Sequence, residues 1–229
     1  GGGKPPDLVV IVADATQLAR NLYLVLQVLE FELPCVLCLN MMDEAEARRP
    51  SANALARWLD IPLVGTTART GQGIDDLAAT LAHALEHPRT GRVLVTYSPA
   101  VEAAIARVRD ALPEAWQSTE RRTRAAALWA LLSMDERDEL QGLDTQLRER
   151  CAEAHLAASS AGTDLDHEVI RARYAVIDAQ LPSLMEVPRP SRGKQDRTEL
   201  LDRVLLHPVL GFGIFIAIMF ALFQALFTW

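Results

Sequence analysis

The chain has 229 residues, of which 50% are hydrophobic and 23% are charged, and its formal net charge is −7. This composition excludes a disordered chain, and the acidic balance argues against a general nucleic-acid binder, which normally carries a basic domain. Three cysteines cannot all pair with one another. We therefore expect a reducing, cytosolic environment for most of the chain.

The first 87 residues alternate between short apolar runs and helical segments. The predicted strands are 7–16, 34–40 and 61–68, and the predicted helices are 17–29, 51–59 and 74–85. Runs that are continuously apolar, instead of alternating, indicate strands covered on both faces. Strands that alternate with helices predict an α/β fold with a parallel sheet and right-handed crossovers.

Residues 97–184 change character and predict a small all-helical domain. Ser98 is the expected N-cap of its first helix, with Pro99 at the first helical position. The segment "RRTRAAALWALLSM" and the stretch 145–184 are rich in Ala, Leu, Arg and Glu. Gly162 and Asp164 predict a break within that last stretch.

The C-terminal part predicts a membrane span. Residues 185–206 form a basic linker, and the 21 residues of 209–229 contain no charge. A helix of that length rises ~31 Å, enough to cross a ~30 Å hydrocarbon core. We expect a transmembrane helix at 207–229, and the positive-inside rule puts the basic side in the cytoplasm. Because "GGGKPPD" opens the sequence without Met, we expect it to be part of a longer protein.

The stretch "NMMD" at the end of the second predicted strand is the candidate binding site. Open parallel sheets bind ligands at the carboxyl ends of their strands. The two oxygens of Asp43 could accept the N1–H and 2-amino donors of guanine in fork geometry, and adenine lacks such a pair. Asn40 could hydrogen-bond the N7 edge and brace neighbouring loops, while Met41 could lie against the base plane.

The loop "TTARTGQG" after the third predicted strand is expected to complete this site. It should supply a backbone N–H to the purine O6, with Ala68 small enough for close approach and Thr67 bracing the turn. Gly71 and Gly73 would permit a tight bend. An alternative remains, in which Asp43 is merely the N-cap of a helix "EAEARR" and Asn40 a turn residue.

Two further patterns resemble metal-binding motifs, but we expect their residues to have structural roles. Cys35 and Cys38 are three residues apart on a strand, so their thiols should point to opposite faces and lie in the core. His83 and His87 are four apart on a helix but lack the intervening carboxylate of an H-E-x-x-H motif. We predict no metal ligand and no catalytic residue in this chain.

Residues 6–49, "PDLVVIVADATQLARNLYLVLQVLEFELPCVLCLNMMDEAEARR", resemble the later part of the G domain of FeoB-type ferrous iron transporters. In that family the fourth GTPase motif often reads N-M-x-D, and "TTARTGQGIDDL" is similar to the fifth motif. "RARYAVID" resembles the helical domain that follows, which is sometimes called GDI-like. "DRVLLHPVLGFGIFIAIMFALFQ" is similar to the segment that leads into the first membrane helix.

The resemblance implies a partial Ras-like GTPase sheet that binds the guanine base of GTP or GDP. It assigns Asn40, Met41 and Asp43 to the guanine-specificity motif, and Thr67, Ala68 and Arg69 to the fifth motif. No G-x-x-x-x-G-K-[ST] or D-x-x-G pattern is present. The phosphate loop, the Mg²⁺ ligands and both switch regions are therefore expected upstream, and this chain alone should not hydrolyse GTP.

The resemblance also implies an organisation and a set of partners. It divides the chain into a G-domain part at 1–90, a GDI-like domain at 97–184, the linker at 185–206 and the first membrane helix at 207–229. The intact protein would be a multi-pass GTPase of the inner membrane that takes up Fe²⁺, with residues 1–206 cytoplasmic. Its expected partners are the bilayer, the rest of its own membrane domain, a small accessory Feo protein and further copies of itself, but no nucleic acid.

A rival interpretation is a membrane-tethered interaction module whose α/β part binds no nucleotide. The same residues would then form only a strand end and a turn. Nucleotide titration would distinguish the two interpretations.

Overall fold

A computed structural model describes residues 6–45, 49–134, 145–186, 207 and 210–228. The chain divides into two compact units, residues 1–188 and 189–229. The first unit contains the predicted α/β and helical parts together. The assignment of 1–90 and 97–184 to two domains stays a prediction.

The α/β part is built on a parallel sheet, as the sequence predicts. Its strands are β1 (Val9–Asp14), β2 (Cys35–Asn40) and β3 (Leu63–Gly65), in the order β1-β2-β3. The register aligns Val9 with Cys35 and Asp14 with Asn40, so β1 and β2 end level with each other.

Three helices connect and cover these strands. A short 3-10 helix at Ala15–Gln17 leads into α1 (Leu18–Glu30), and α2 (Ala52–Leu59) and α3 (Ile74–Glu86) follow β2 and β3. The apolar stripe of α1 is fully buried against the sheet and includes Leu22, Leu26 and Leu29. Each such leucine stabilises the fold by about 1.5–3 kcal/mol relative to an exposed position.

One expectation about the sheet is wrong. β1 reads as a continuously apolar run and so predicted a strand covered on both faces, yet Val10 and Val12 are 43% and 60% exposed. Among the described residues β1 is an edge strand that pairs only with β2. Ile11 and Ala13 alternate with the exposed valines and face the core.

The helical part has the predicted elements. It consists of α4 (Pro99–Arg109), a 3-10 helix at Glu114–Trp116, α5 (Glu120–Ser133), α6 (Thr145–Ser160) and α7 (Leu165–Leu184). Gly162, with a φ of 78°, marks the predicted break, and the Asp164 side chain caps α7 by accepting from His167 N. Ser98 occupies the predicted N-cap position of α4, but its hydroxyl makes no cap hydrogen bond.

A buried polar cluster joins the helical part to α1. We call it the Arg173 cluster; it comprises Tyr23, Glu30, Tyr97 and Arg173. Arg173 Nη2 donates to Glu30 Oε2 at 2.8 Å, and Arg173 Nε and Nη1 donate to the hydroxyls of Tyr97 and Tyr23, each at 3.0 Å. Tyr97 in turn donates its hydroxyl proton to Glu30 Oε1. Burial and the Glu30 charge raise the pKa of Tyr97 well above its ordinary value, so it stays a neutral donor.

The second unit contains helix α8 (Leu210–Thr228), of 19 residues. Across the described segments of the chain, no helix has both the length and the apolar character needed to cross a membrane. The structure thus does not support the predicted transmembrane helix at 207–229. Most of the predicted linker, 187–206, lies outside the described residues.

Candidate functional site

The predicted site residues come together at the carboxyl edge of β2 and β3. Strand β2 ends at Asn40, and β3 ends at Gly65 with Thr66 continuing its direction. Thr66 N donates to Leu39 O at 2.8 Å, and Met42 N donates to Thr66 O at 3.3 Å. These backbone bonds hold the "NMMD" turn directly beside the turn that follows β3.

The Asn40 amide connects the two turns. Its Oδ1 accepts from the Ala68 backbone N–H at 3.0 Å and from Thr66 Oγ1 at 3.1 Å. Because a backbone N–H can only donate, this contact fixes the amide with its oxygen toward Ala68 and leaves the Nδ2 group as the donor for a ligand. The Ala68 N–H therefore supports Asn40, whereas the sequence assigned this loop the role of an O6 donor.

Asp43 and Arg69 form an ion pair that also connects the two turns. Arg69 Nη2 lies 2.8 Å from Asp43 Oδ2, and the two side chains are 76% and 30% exposed. The hydrogen bond from Arg69 lowers the pKa of Asp43 below its ordinary value of 3.8, with smaller contributions from the Arg69 charge and local backbone N–H groups. Asp43 is thus a carboxylate at neutral pH.

The backbone of the first turn is strained at one residue. Met41 has a φ of 61°, in the left-handed region that side chains other than Asn, Asp and Gly rarely adopt. Met42 packs beside Gly65, where an added Cβ would lie 3.3 Å from Met42 Cγ. A Cβ at position 65 would therefore require the Met42 side chain to shift by a few tenths of an ångström.

The second turn closes through its glycines, as predicted. Gly71 and Gly73 have φ values of 79° and 77°, and a Cβ at Gly73 would lie 2.4 Å from Gly65 O. Thr67 N donates to Gln72 O at 2.9 Å across the base of this turn. The turn is consequently a compact element that presents residues 67–69 to the "NMMD" turn.

Thr66 begins the predicted loop and also belongs to the site, although the sequence assigned it no role of its own. Thr66 is 2% exposed, donates to Asn40 Oδ1 and contacts Cys38 Sγ at 3.3 Å. Its position directly after a short apolar strand marks a strand end, but its bond to Asn40 joins residues 26 positions apart. Residues 41–45 form a turn and not a helix, so they give no support to the alternative in which Asp43 caps a helix. Residues 46–48 lie outside the described residues.

The cysteines are core residues, as the strand geometry predicts. Cys35 and Cys38 are 1% and 4% exposed, and burial raises the pKa of the Cys35 thiol to about 11. His83 and His87 stack at the exposed end of α3 with ring centroids 4.7 Å apart. Within the described ranges, no three or more His, Cys, Asp or Glu side chains converge as a metal site.

The chain is similar to proteins that are named iron transporters. A sequence model of the family described as "Ferrous iron transport protein B" matches residues 3–81. A Porphyromonas gingivalis protein named "Fe(2+) transport protein A/Fe(2+) transporter FeoB fusion protein" is 33% identical over 240 residues. The match covers 97% of this chain but 28% of that protein, so the chain spans less than a third of the relative's length.

Solved structures show the same fold. The cytosolic domain of L. pneumophila FeoB superposes with a TM-score of 0.64 at 22% identity, covering 80% of this chain and 70% of that one. NFeoB from S. thermophilus, solved with bound mGMPPNP, has a TM-score of 0.57 at 26% identity and covers 79% and 68%. Together these matches confirm the resemblance to FeoB-type ferrous iron transporters and the mixed α/β fold with a parallel sheet.

Proposed function

We propose that this chain, an FeoB-type ferrous iron transporter sequence, binds the base of a guanine nucleotide where Asn40 and Asp43 face residues 66–69. The observation that carries the proposal is the pair of contacts across this gap. Asn40 Oδ1 is held by Ala68 N and Thr66 Oγ1, and Asp43 is held beside Arg69. One turn supplies an oriented amide and a charged carboxylate, and the other keeps both in place.

Asp43 is the specificity-determining group in this proposal. Guanine N1–H and its 2-amino group would replace Arg69 as the partner of the carboxylate, with one donor to each oxygen. An exposed ion pair contributes little to stability, so the exchange of Arg69 for the base costs little. The adenine edge offers no matching pair of donors and would leave Asp43 without a partner. The same site would therefore select GTP and GDP over ATP and ADP.

The remaining residues shape the pocket around the base. Asn40 Nδ2 would donate to N7, since Oδ1 is already used. The aliphatic part of Met41 would lie along one face of the base, and the guanidinium of Arg69, once released, along the other. Thr67 and Ala68 would form the wall nearest O6.

The remaining chemistry would use residues beyond this chain. The 229 residues contain no G-x-x-x-x-G-K-[ST] and no D-x-x-G pattern. In the transporter, hydrolysis of GTP to GDP and phosphate would need a phosphate loop, switch regions and Mg²⁺ ligands of that kind. We assign this chain base recognition, and assign no catalytic residue and no Fe²⁺ ligand to it.

The proposed setting is the cytosolic side of the cell's inner membrane. Support comes from the solved neighbour described as a cytosolic domain and from relatives named Fe(2+) transporters. The relative in which transport protein A is fused to FeoB favours a small Feo protein as a partner. The other proposed partners are the lipid bilayer, the membrane part of the same protein and further copies of it, with GTP-dependent Fe²⁺ uptake as the shared activity.

The test is a titration of the full 229-residue chain with GDP and with ADP, followed by NMR. We expect GDP at millimolar concentration to shift the NMR signals of the Asn40 side-chain amide and the Ala68 N–H. ADP should leave both signals unchanged. Asp43→Asn should weaken GDP binding by about tenfold, because one fork acceptor is lost.

Asp60→Asn is the matched control, because it removes the same charge from a position before β3, at the other end of that strand. It should bind GDP like the wild type. Equal responses to GDP and ADP, or an unchanged response in Asp43→Asn, would exclude the guanine site. No response to either nucleotide would favour the rival interaction module.

A further inference from the structure

Three side chains form a hydrogen-bonded series behind the candidate base site. Cys38 Sγ lies 3.3 Å from Thr66 Oγ1, and Thr66 Oγ1 lies 3.1 Å from Asn40 Oδ1. We call these three residues the Cys38 relay. Cys38 and Thr66 are 4% and 2% exposed, whereas Asn40 is only partly buried. The relay therefore connects the interior of the sheet to the amide that is proposed to meet the base.

The geometry of the sheet brings the relay together. Cys38 and Asn40 are two positions apart on β2, so their side chains point to the same face of the sheet. Thr66 directly follows β3, and its backbone N–H donates to Leu39 O at 2.8 Å, which holds it beside these two residues. Cys35 is three positions before Cys38 and therefore points to the opposite face, where it packs in the hydrophobic core.

The direction of each hydrogen bond in the relay follows from the bond at Asn40. The Ala68 N–H donates to Asn40 Oδ1 at 3.0 Å, so this atom is the amide oxygen and the Thr66 hydroxyl also donates to it. A hydroxyl carries one proton, and that of Thr66 is used on Asn40. In the remaining contact the Cys38 thiol is therefore the donor, and Thr66 Oγ1 is the acceptor.

A thiol that donates to Thr66 has two effects on Asn40. It holds the Thr66 hydroxyl in the rotamer that faces Oδ1, and it strengthens the next bond, because hydrogen bonds in series polarise one another. Ala68 and Thr66 then occupy both lone pairs of Oδ1, so that Nδ2 is the group left for a ligand. An amide turned the other way would present its oxygen to N7 of the base, and two acceptors repel each other.

We propose that Cys38 is a positioning residue for the guanine site. The proposal rests on the function proposed above. Cys38 does not touch the base; its thiol acts through Thr66 and keeps Asn40 Nδ2 directed at N7. Loss of the thiol proton donor loosens the amide even where the sheet keeps its fold. A buried cysteine of the second strand thus contributes to base recognition in addition to its packing.

Three variants of the full chain separate the hydrogen bond of the thiol from its packing. Cys38→Ala removes the donor, and Cys38→Ser keeps a donor at the same position. Cys35→Ala is the matched control, because it removes the same atoms from the opposite face of the same strand. If Cys38 served packing alone, the two alanine variants would have the same affinity for GDP.

We expect Cys38→Ala to weaken GDP binding by about threefold, the effect of losing one weak hydrogen bond. Cys38→Ser should restore most of this loss, and Cys35→Ala should bind GDP like the wild type. The affinities are measured by NMR titration, in which the signals of the Asn40 side-chain amide should also differ between Cys38→Ala and Cys35→Ala before GDP is added.

Infrared spectroscopy tests the relay without any nucleotide. A thiol that donates a hydrogen bond has a lower S–H stretching frequency than a free thiol, and the difference spectrum with Cys38→Ala identifies the Cys38 band. Thr66→Val removes the acceptor at nearly constant volume. It should raise the frequency of the Cys38 band and leave the Cys35 band in place.

The outcomes distinguish the relay from the guanine site. A Cys38 band that does not move in Thr66→Val would show that the thiol does not donate to Thr66, and this would overturn the proposal. Equal GDP affinities of Cys38→Ala and Cys35→Ala would overturn it as well, while the guanine site would stand. If the wild-type chain binds no GDP, the proposed function fails and the role of Cys38 fails with it.

Discussion

Two arginine–carboxylate pairs of the same length have opposite surroundings. Arg173–Glu30 and Arg69–Asp43 both have N–O distances of 2.8 Å. The first pair is almost fully buried and carries two tyrosine hydroxyls, while the arginine of the second is 76% exposed. The distance alone therefore does not tell what a pair does.

The difference in burial distinguishes an ion pair that maintains the fold from one whose arginine can be replaced by a ligand. In the buried pair, neither charge can find water if the other is lost, so the fold depends on both. In the exposed pair, water replaces the lost partner at small cost. A carboxylate that must bind a ligand benefits from a partner that leaves easily, which Arg69 provides and Arg173 could not.

The largest effect is expected from Arg173→Met. The variant leaves the Glu30 carboxylate buried without a cation, and we expect the free energy of unfolding to fall by about 3–5 kcal/mol in urea denaturation. The control is Arg171→Met, two positions before Arg173. It removes an exposed arginine paired with Glu168 and should change stability by less than about 1 kcal/mol. Equal losses in both variants would contradict the structural role of the buried pair.

A smaller loss is expected from Tyr97→Phe. This change removes the hydroxyl that donates to Glu30 and accepts from Arg173, and buried groups left without a partner cost about 1–3 kcal/mol. Tyr174→Phe, at a tyrosine that is 37% exposed, is the matched control. A thermal unfolding midpoint for Tyr97→Phe indistinguishable from that of Tyr174→Phe would show that the hydroxyl is dispensable.

At the exposed edge of the sheet, Asn40→Ala should lower stability by about 1 kcal/mol, because two hydrogen bonds to Oδ1 are lost at a partly exposed position. Its effect on nucleotide binding should be larger than its effect on stability, since GDP would no longer shift the NMR signal of the Ala68 N–H. Asn21→Ala removes an amide that donates to the Gln17 carbonyl of its own segment, and it should leave GDP binding intact. GDP binding by Asn40→Ala at wild-type strength would separate the amide from the site.

The smallest effect concerns the titration of Asp43. Its pKa in the folded chain lies below the ordinary 3.8, so its contribution to stability is present above pH 3.8 and is lost as the pH falls through the lowered pKa. We expect Arg69→Ala to raise the Asp43 pKa back toward 3.8, measured by carboxyl NMR between pH 2 and 6. An unchanged midpoint would mean that Arg69 does not hold the carboxylate in solution.

Much of the fold could be predicted from local pattern. The breaks at Gly162 and before Pro99, and the helical stripe of α1, follow from turn chemistry and a 3.6-residue period, which act within a few residues. The exposure of Val10 and Val12 could not be predicted, because an apolar run reads alike whether or not another layer covers it. The span expected at 207–229 is not supported by the described residues, in which α8 covers 210–228.

The candidate site likewise has a part that local pattern predicts and a part that it does not. The motif residues could be named from the sequence, because strand ends followed by Asn, Asp and small residues have known chemistry. The part played by Thr66, and the pairing of Asp43 with Arg69, could not be named, because each joins positions 26 residues apart. Such contacts depend on the register between β2 and β3, which no local pattern encodes.

The sequence by itself therefore determined the order of strands and helices, the polar residues at the strand ends and the likeness to FeoB-type transporters. Tertiary structure alone decided which charges are buried and which are open to solvent. It also placed Thr66 between Cys38 and Asn40. The physical reason is that burial and ion pairing depend on distant segments meeting in space, whereas propensity and capping depend only on neighbours in the chain.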